Sequence, residues 1–584
     1  MKWIQEIDPV GGLVLSALLA SIPVFFIFWA LIIKKMKGYL ASLLTALVAL
    51  FVAIAVYGMP LSLSFLSAFH GILYGLFPIS WILISAVFLY NITVRSGQFE
   101  IIKHSMSALT DDRRLQALII AFSFGAFLEG ATGMGTPVAI SAAMLVGLGF
   151  NPLYAAGICL IANTAPVAFG AVGTPIIIAS QISGLPEMAI SKMVGRTLPL
   201  LSMLVPFYLV ILMSGFKRSL EVLPAILVSG MSFALVQWYT SNYLNPMLPD
   251  VIAGITSIIS LALLLRFWKP ASVWRFSDEK TNTSTSKSKH SASEIIRAWS
   301  PFIIMTLVII TWGLQPVKDT LNSFLHFSFE IPLLPGSIFR EDGTAFPVKP
   351  FELNLLTSPG SAVFIAALIS VPVAGLKFRE GLKIFSETLK QLKYAVITIV
   401  SVLGFAFIAN YSGMSTTIAL ALAGTGFLFP FFSPILGWLG VFLTGSDTSS
   451  NALFCKLQQT TADAIGVDPV ITVSANATGG VTGKMVSPQS IAVGAASVGL
   501  IGREADIFRF TIKHSFIMLF ILSIITALQA YVLTGLIPEY ELPENISGSA
   551  SSAGVSGIYY LVSLLVCLLV FTTFLSLINR KKVK

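Results

Sequence analysis

Eleven stretches of this chain are apolar over close to the thickness of a bilayer, at roughly 11–33, 38–58, 74–94, 197–215, 220–240, 246–268, 298–314, 358–377, 394–412, 511–536 and 554–578. About 20 helical residues cross the roughly 30 Å of hydrocarbon in a membrane. Inside that medium every backbone N–H and C=O needs a partner within the segment, which favours helices. Only 11% of the residues are charged, against about 25% in soluble domains. The chain therefore reads as an all-α integral membrane protein whose main solvent is lipid. A nucleic-acid partner is excluded despite the net charge of +9, because the basic residues sit in short runs beside apolar segments. The opening MKWIQEIDPV carries acidic as well as basic residues, so it reads as a retained first helix rather than a signal peptide.

Those basic runs orient the spans, since Lys and Arg concentrate in cytoplasmic loops. Lys34, Lys35 and Lys37, then Arg95, Lys103, Arg113 and Arg114, then Lys217 and Arg218 are expected inside. So are the linker 269–297, a basic loop with Lys377, Arg379, Lys383, Lys390 and Lys393, the run Arg503, Arg509 and Lys513, and the C-terminus. The N-terminus, the connection 315–357 and the loop with Glu539, Glu541 and Glu544 are expected outside. Four further apolar stretches are interrupted by Gly, Pro and polar residues. The map closes when 115–150 and 433–465 are re-entrant hairpins while 152–180 and 468–500 each cross once with a break, giving about 13 crossings.

The interrupted stretches match one another. Ser96-Gly97 corresponds to Ser412-Gly413, Glu129 to Asp447, Gly149 and Pro152 to Gly466 and Pro469, and Ala162-Asn163, Gly170 and Pro175 to Ala475-Asn476, Gly483 and Pro488. The offsets are 316, 318, 317 and 313 residues. With Ser96 inside and Ser412 outside, the two repeats are inverted, and breaks at matching depth point to a midplane site. The expected organisation is N-terminal spans 1–94, a first transport core 95–180, scaffold spans 181–410, a second core 411–500 and C-terminal spans 501–584.

Chemistry concentrates at the breaks. GAFLEGATGMGTP (125–137) holds Glu129, a carboxylate that an apolar stretch tolerates only for function or with a partner. ANTAPVAFGAVGTP (162–175) offers Asn163, Thr164 and Thr174 beside helix-breaking prolines, and half-helix N-termini present amides to anions. TGSDTSSNALF (444–454) brings Ser446, Asp447, Thr448 and Ser449, a polar cage for a small hydroxylated ligand or an exposed loop. ANATGGVTGKMVSPQ (475–489) brings Asn476, Thr478, Ser487 and Lys484, a cation that either meets a carboxylate substrate or snorkels to an interface. Glu129 or Asp447 is the expected proton carrier, because two like charges in one dry site are costly. Glu129 is favoured for its apolar neighbours. Lys456 and Asp463 read as structural. Cys159, Cys455 and Cys567 are scattered, and the sequence offers no metal-ligand spacing, cofactor loop or nucleophile triad. No cofactor or metal is expected, and neither an enzyme nor an ATP-driven pump is indicated.

At these four motifs, and over nearly the whole length, the chain resembles the L-lactate permease family of bacteria. The resemblance implies a permease of the cytoplasmic membrane that imports L-lactate, and commonly D-lactate and glycolate, with a proton. It also implies hairpin-containing repeats that move in an elevator-like way. The expected partners are thus a small 2-hydroxymonocarboxylate anion and a proton, and a homo-oligomer is compatible with the sequence. A sodium-coupled carboxylate or dicarboxylate carrier and an anion channel are the rival readings.

Overall fold

The computed structural model describes residues 2–34, 36–133, 135–276, 290–325, 327–341, 343–501 and 503–541. The expected span 554–578, Glu544, Cys567, Met134 and the middle of the linker 269–297 lie outside these residues. Among the described residues, ten helices are long and apolar enough to cross a membrane, or twelve when each of two bent pairs counts as one span.

The first bent pair is α1 (Leu13–Ala20) and α2 (Ile22–Phe28), followed by α3 (Gly38–Ala55). Next, α4 (Leu61–Tyr74) and α5 (Trp81–Arg95) run through an irregular turn at Phe77-Pro78 as one 35-residue element. The expected window 74–94 covers only its second half. Ser64, Ser67 and His70 lower the hydropathy of the first half, and all three are buried against protein. After α6 (Gln98–Ser107) come α7 (Arg113–Gln116), a wide-turned segment and α8 (Gly125–Thr132), which together form a wholly buried stretch 113–132. The chain turns at Gly133 and Gly135, both at positive φ, into α9 (Thr136–Gly147). The broken span follows as α10 (Pro152–Ala162) and α11 (Gly170–Ser183), bent by 66°.

Then come α12 (Glu187–Ser214), α13 (Phe216–Leu220), α14 (Leu223–Tyr243), α15 (Pro249–Phe267), α16 (Ala292–Gly313) and α17 (Gln315–Phe324). The next helices are α18 (Pro359–Val373) and the 34-residue α19 (Phe378–Tyr411). The expected basic loop 377–393 is instead the first half of α19. Gly381, Ile384, Thr388 and Leu392 are buried along one side while Lys383 and Lys390 face outward, an amphipathic pattern rather than a loop. The chain continues as α20 (Met414–Ala423), α21 (Phe429–Thr444), α22 (Asp447–Ile465), α23 (Pro469–Lys484), α24 (Pro488–Ser497) and α25 (Glu504–Tyr531).

The element order repeats. A long helix ends at a left-handed glycine, Gly97 or Gly413, and a 10-residue helix follows each time. A hairpin, an interrupted span and a 28-residue helix, α12 or α25, complete each copy. The long helices of the two copies pack antiparallel. Gly71 lies against Leu403, Gly75 against Val400, and Asn91 Nδ2 donates to Thr388 Oγ1 at 2.9 Å. Paired positions therefore fall along α19 as they rise along α4–α5, which puts Ser96-Gly97 and Ser412-Gly413 at opposite ends. The contacts are close because Gly71 and Gly75 bring no Cβ between the backbones, the usual device of packed membrane helices.

Loops gather at each end. At one end the buried guanidinium of Arg114 meets both Asp112 oxygens at 2.8 and 3.1 Å, Glu221 at 2.9 Å and the carbonyls of Arg218 and Ser272 at 2.7 and 3.0 Å. At the other, β1 (Trp3–Ile4) pairs with β2 (Ile338–Phe339), and Gln5 Nε2 donates to the Tyr411 carbonyl at 2.8 Å.

The Arg114 clamp holds three loops through one side chain. Removing one partner of a buried charge network costs about 3–5 kcal/mol. Arg114→Ala is therefore expected to lower the unfolding temperature of the detergent-solubilised protein markedly. Arg218→Ala, which leaves the carbonyl used by the clamp in place, is expected to leave it nearly unchanged. The Arg114 hydrogen bond holds the Glu221 carboxyl below its usual range. That contribution is present at neutral pH and lost as pH falls through the lowered value. Equal melting of the two variants would remove the clamp from this account.

Candidate functional site at the helix breaks

Both interrupted spans stop deep in the protein, and their loose ends meet. In the first, α10 ends at Asn163, and Ala171, Val172 and Gly173 then adopt left-handed backbone before the regular turns of α11. A β-branched valine at φ 56 is strained. In the second, α23 ends at Lys484, and Ser487 caps α24 by accepting from the Ser490 amide. A cation suits the carbonyl-bearing end of a helix.

Lys484 Nζ donates to Glu129 Oε1 at 2.5 Å. Lys484 is 6% exposed and Glu129 1%. Glu129 lies in the last turn of α8, four residues before the hairpin turn begins at Gly133. Its carboxylate fits because residue 170 is glycine, where a Cβ would come within 2.8 Å of Oε1. The second Glu129 oxygen, Oε2, has no partner. The lone cation of the sequence reading and one of its two acids are thus an ion pair joining the first hairpin to the second broken span.

Asp447 is the first residue of α22, buried, with both oxygens unpartnered and packed against Gly480. Gly480, which it touches, lies about one helical turn before Lys484. A third acid joins them. Asp250, in the first turn of α15, is fully buried and abuts Gly130, the residue next to Glu129. Its Oδ1 accepts from Gln237 Nε2 at 3.2 Å, and its Oδ2 has no partner. Gln237 also donates to the Ala165 carbonyl inside the first break, at 3.0 Å. Asp250 sits at the edge of the apolar window 246–268, where an acid reads as interfacial. The rule that intramembrane carboxylates are functional by default could have singled it out.

The other expected site residues divide. Asn163 is buried, and neither of its amide atoms has a partner. Buried polar groups are normally satisfied, so a ligand or water is the expected complement. Its counterpart Asn476 is consumed by structure. It donates to Asn451 Oδ1 at 2.9 Å and accepts from Gln458 at 3.2 Å, and Asn451 donates to the Pro175 carbonyl at 3.0 Å. Thr164, Thr174 and Thr478 donate to carbonyls of their own turns, those of Ile161, Ala171 and Ala475. Ser446 caps α22, Ser487 caps α24, Ser449 is buried and Thr448 half-buried. Lys456 pairs with Gln459, and Gln459 with Asp463, along one helix face. Among the described residues no His, Cys, Asp and Glu group has the form of a metal site.

The family model described as L-lactate permease matches residues 16–533. The chain is 52% identical over 565 residues to the L-lactate permease of Bacillus subtilis, covering 92% of this chain and all of that one. It is 50% identical over 557 residues to the glycolate permease GlcA of Escherichia coli, covering 92% and 100%. It is 49% identical over 549 residues to the L-lactate permease of the same organism, again covering 92% and 100%.

A buried charge left alone costs about 3–5 kcal/mol, while an apolar or neutral replacement of both partners is often tolerated. Lys484→Met alone is therefore expected to destabilise the protein in detergent. The double change Glu129→Gln with Lys484→Met is expected to recover most of the lost unfolding temperature. A double variant no more stable than the single one would mean that the two side chains do not depend on each other.

Proposed function

Because the chain belongs to the L-lactate permease family, and so is a multi-pass membrane permease rather than an enzyme, we propose that it imports L-lactate, with D-lactate and glycolate as further substrates, in symport with a proton across the cytoplasmic membrane. Its relatives of known name, lactate and glycolate permeases, support the substrate class. The observation that carries the coupling is the buried Lys484–Glu129 pair.

While Glu129 is ionised it occupies Lys484. A proton on Glu129 removes that competitor, and the ammonium is then free for the substrate carboxylate. Asn163, with unpartnered amide groups, is a neutral candidate for the 2-hydroxyl. When the proton leaves on the more alkaline side, Glu129 reclaims Lys484 and the anion is expelled. Substrate and proton are thus bound together or not at all. One cation and three carboxylates share this buried region, Lys484 with Glu129, Asp447 against Gly480 and Asp250 against Gly130. Such a set balances its charge only when protons or cations join it, which supports cation coupling. Asp447 and Asp250 are the groups to hold the second charge.

The antiparallel long helices and the repeated element order support two inverted repeats, with the hairpins and broken spans moving as an elevator-like core. The convergence of 112–114, 218–221 and 272–274 at one end supports that end as cytoplasmic. The N-terminus, the 315–357 connection and Ser412 are then outside. Single cysteines at 96 and 412 are expected to react with impermeant reagents from opposite sides, and labelling from the same side would end the inverted-repeat reading.

The central test is labelled L-lactate uptake into proteoliposomes with an imposed pH or sodium gradient. Accumulation driven by external acid and saturable counterflow are expected. Dependence on sodium instead would favour the sodium-coupled carrier, and non-saturating flux without counterflow an anion channel. Glu129→Gln keeps shape but cannot titrate, so exchange is expected to survive while acid-driven accumulation is lost. Lys484→Ala is expected to raise the lactate KM roughly 30-fold, the scale of a lost charge-assisted hydrogen bond of about 2 kcal/mol. If Asp447→Asn rather than Glu129→Gln gives exchange without accumulation, the two acids trade roles. If Asp250→Asn does so, the scaffold acid is the carrier.

A further inference from the structure

We propose that Gln237 is a positioning residue for the first break and that, through Asn163, it sets the preference for substrates carrying a 2-hydroxyl. The inference rests on the reading of Asn163 given above and assigns what holds that residue in place. Gln237 lies on α14 and is fully buried. Its Nε2 donates to the Ala165 carbonyl at 3.0 Å and to Asp250 Oδ1 at 3.2 Å. Its Oε1 accepts from Ser202 Oγ at 2.8 Å, which fixes the direction in which the amide faces. Ser202, Asp250 and Ala165 are buried as deeply. One side chain therefore joins α12, α14 and α15 to the first break, with its amide nitrogen and its oxygen both in use.

The break needs such a partner. Ala165 lies in the turn 163–166 that follows α10, and Pro166 after it brings no N–H. A backbone carbonyl released from a helix at this depth has to be satisfied by protein or by a cavity, and Gln237 satisfies this one. The same unit grips the far end of the break. Gly173, at φ 71, lies against the Pro246 carbonyl in the turn between α14 and α15, so closely that no side chain would fit between them. Between the two grips, Ala171 and Val172 hold left-handed backbone. Such backbone persists only where the surroundings over-determine it. α14, its turn and α15 supply that constraint at Ala165 and at Gly173.

Asn163 stands two residues before Ala165, and its side chain makes no hydrogen bond of its own. Its place is therefore set by the backbone around it. Its counterpart Asn476 needs no such help, because Asn451 and Gln458 hold its amide directly. A hydrogen bond to a substrate hydroxyl weakens steeply when distance or angle is lost. The attraction between Lys484 and a substrate carboxylate falls off more slowly, as charge pairs do. Loosening the first break should thus harm recognition of the 2-hydroxyl and spare that of the carboxylate. A glutamine that only stabilised the fold would affect substrates with and without the hydroxyl alike.

The test measures the KM of labelled L-lactate uptake into proteoliposomes and its inhibition constant for propionate, which lacks the 2-hydroxyl. Wild type, Gln237→Met, Asn163→Ala and the double variant are compared. Methionine has nearly the length of glutamine without its amide. Gln237→Met is expected to raise the lactate KM roughly five-fold, the worth of one neutral hydrogen bond, and to leave the propionate constant unchanged. Added to Asn163→Ala, it is expected to cost no further discrimination. Gln237→Asn, which keeps the amide on a shorter arm, is expected to shift the lactate KM in the same direction and decides the matter if the methionine variant does not fold. In the purified protein without substrate, amide hydrogen exchange over 163–173 is expected to rise in the Gln237 variant, with 484–490 unchanged. Equal losses for lactate and propionate, full additivity of two changes that each reduce discrimination, or unchanged exchange over 163–173 would overturn the proposal. If Asn163→Ala keeps the discrimination that Gln237→Met loses, the reading of Asn163 fails, and the exchange measurement alone decides whether Gln237 positions the break. A wild-type protein that takes up no lactate would refute the permease reading, and the exchange arm would still decide.

Discussion

The structure depends on one ion pair in a place where charge is expensive. Moving an ammonium or a carboxylate from water to a dry interior costs several kcal/mol each even after relaxation. Lys484 and Glu129 meet that cost by facing each other at 2.5 Å across two segments that are 355 residues apart in the chain. Glu129 is at the carbonyl end of a helix, where an acid is disfavoured. Lys484 ends α23, where a cation is favoured, but it is buried and its charge needs a partner. Their mutual need pins the first hairpin to the second broken span. It also makes the contact responsive, because protonating one partner removes the reason for the other to stay.

That pin works only if the helices carrying it come close. On α23 the glycines Gly479, Gly480 and Gly483 face the carbonyls of Pro434 and Trp438 on α21 and the carboxylate of Asp447. Any side chain at these positions would separate the backbones and withdraw Lys484 from Glu129. In lipid, helices gain little from burying apolar surface against each other, so close packing and hydrogen bonds must hold them. The chain supplies both, in the glycine contacts and in the ladder from Pro175 through Asn451, Asn476 and Gln458 to Ser433.

Much of this was legible in the sequence because the bilayer enforces long apolar runs and makes their interruptions conspicuous. The spans, both hairpin turns and both breaks fall where Gly, Pro and polar residues interrupt hydropathy. Lys484, Glu129, Asp447 and Asn163 stood out as polar atoms in apolar surroundings. What could not be read was pairing. Nothing local says that Lys484 meets Glu129 rather than a ligand, since the contact joins segments 355 residues apart. Asp250 was hidden at a window edge, where only its contact with Gly130 shows it to be buried. Charged residues also misled where they line a helix. The lysines of 383–393 read as a loop because hydropathy averages over an amphipathic helix, whereas its buried Ile384, Thr388 and Leu392 keep the helical period.

The two interrupted spans share a few residues, and the structure uses them differently. Asn476 and Asn163 hold matching positions, yet Asn476 spends its amide on Asn451 and Gln458 while Asn163 has no partner for either atom. The bent segment 163–173 includes three left-handed residues, and the second break needs none, passing from Lys484 to the cap at Ser487 within three residues. The repeated element order places a break after each hairpin. The asymmetry explains how they divide labour. The second break is tied down and offers a charge, and the first is strained, open in its hydrogen bonding and lined by acids. A site that must bind an anion and then let it go needs both: a fixed cation to recognise it, and a neighbour whose unspent polar groups and titrating carboxylate can change what that cation sees.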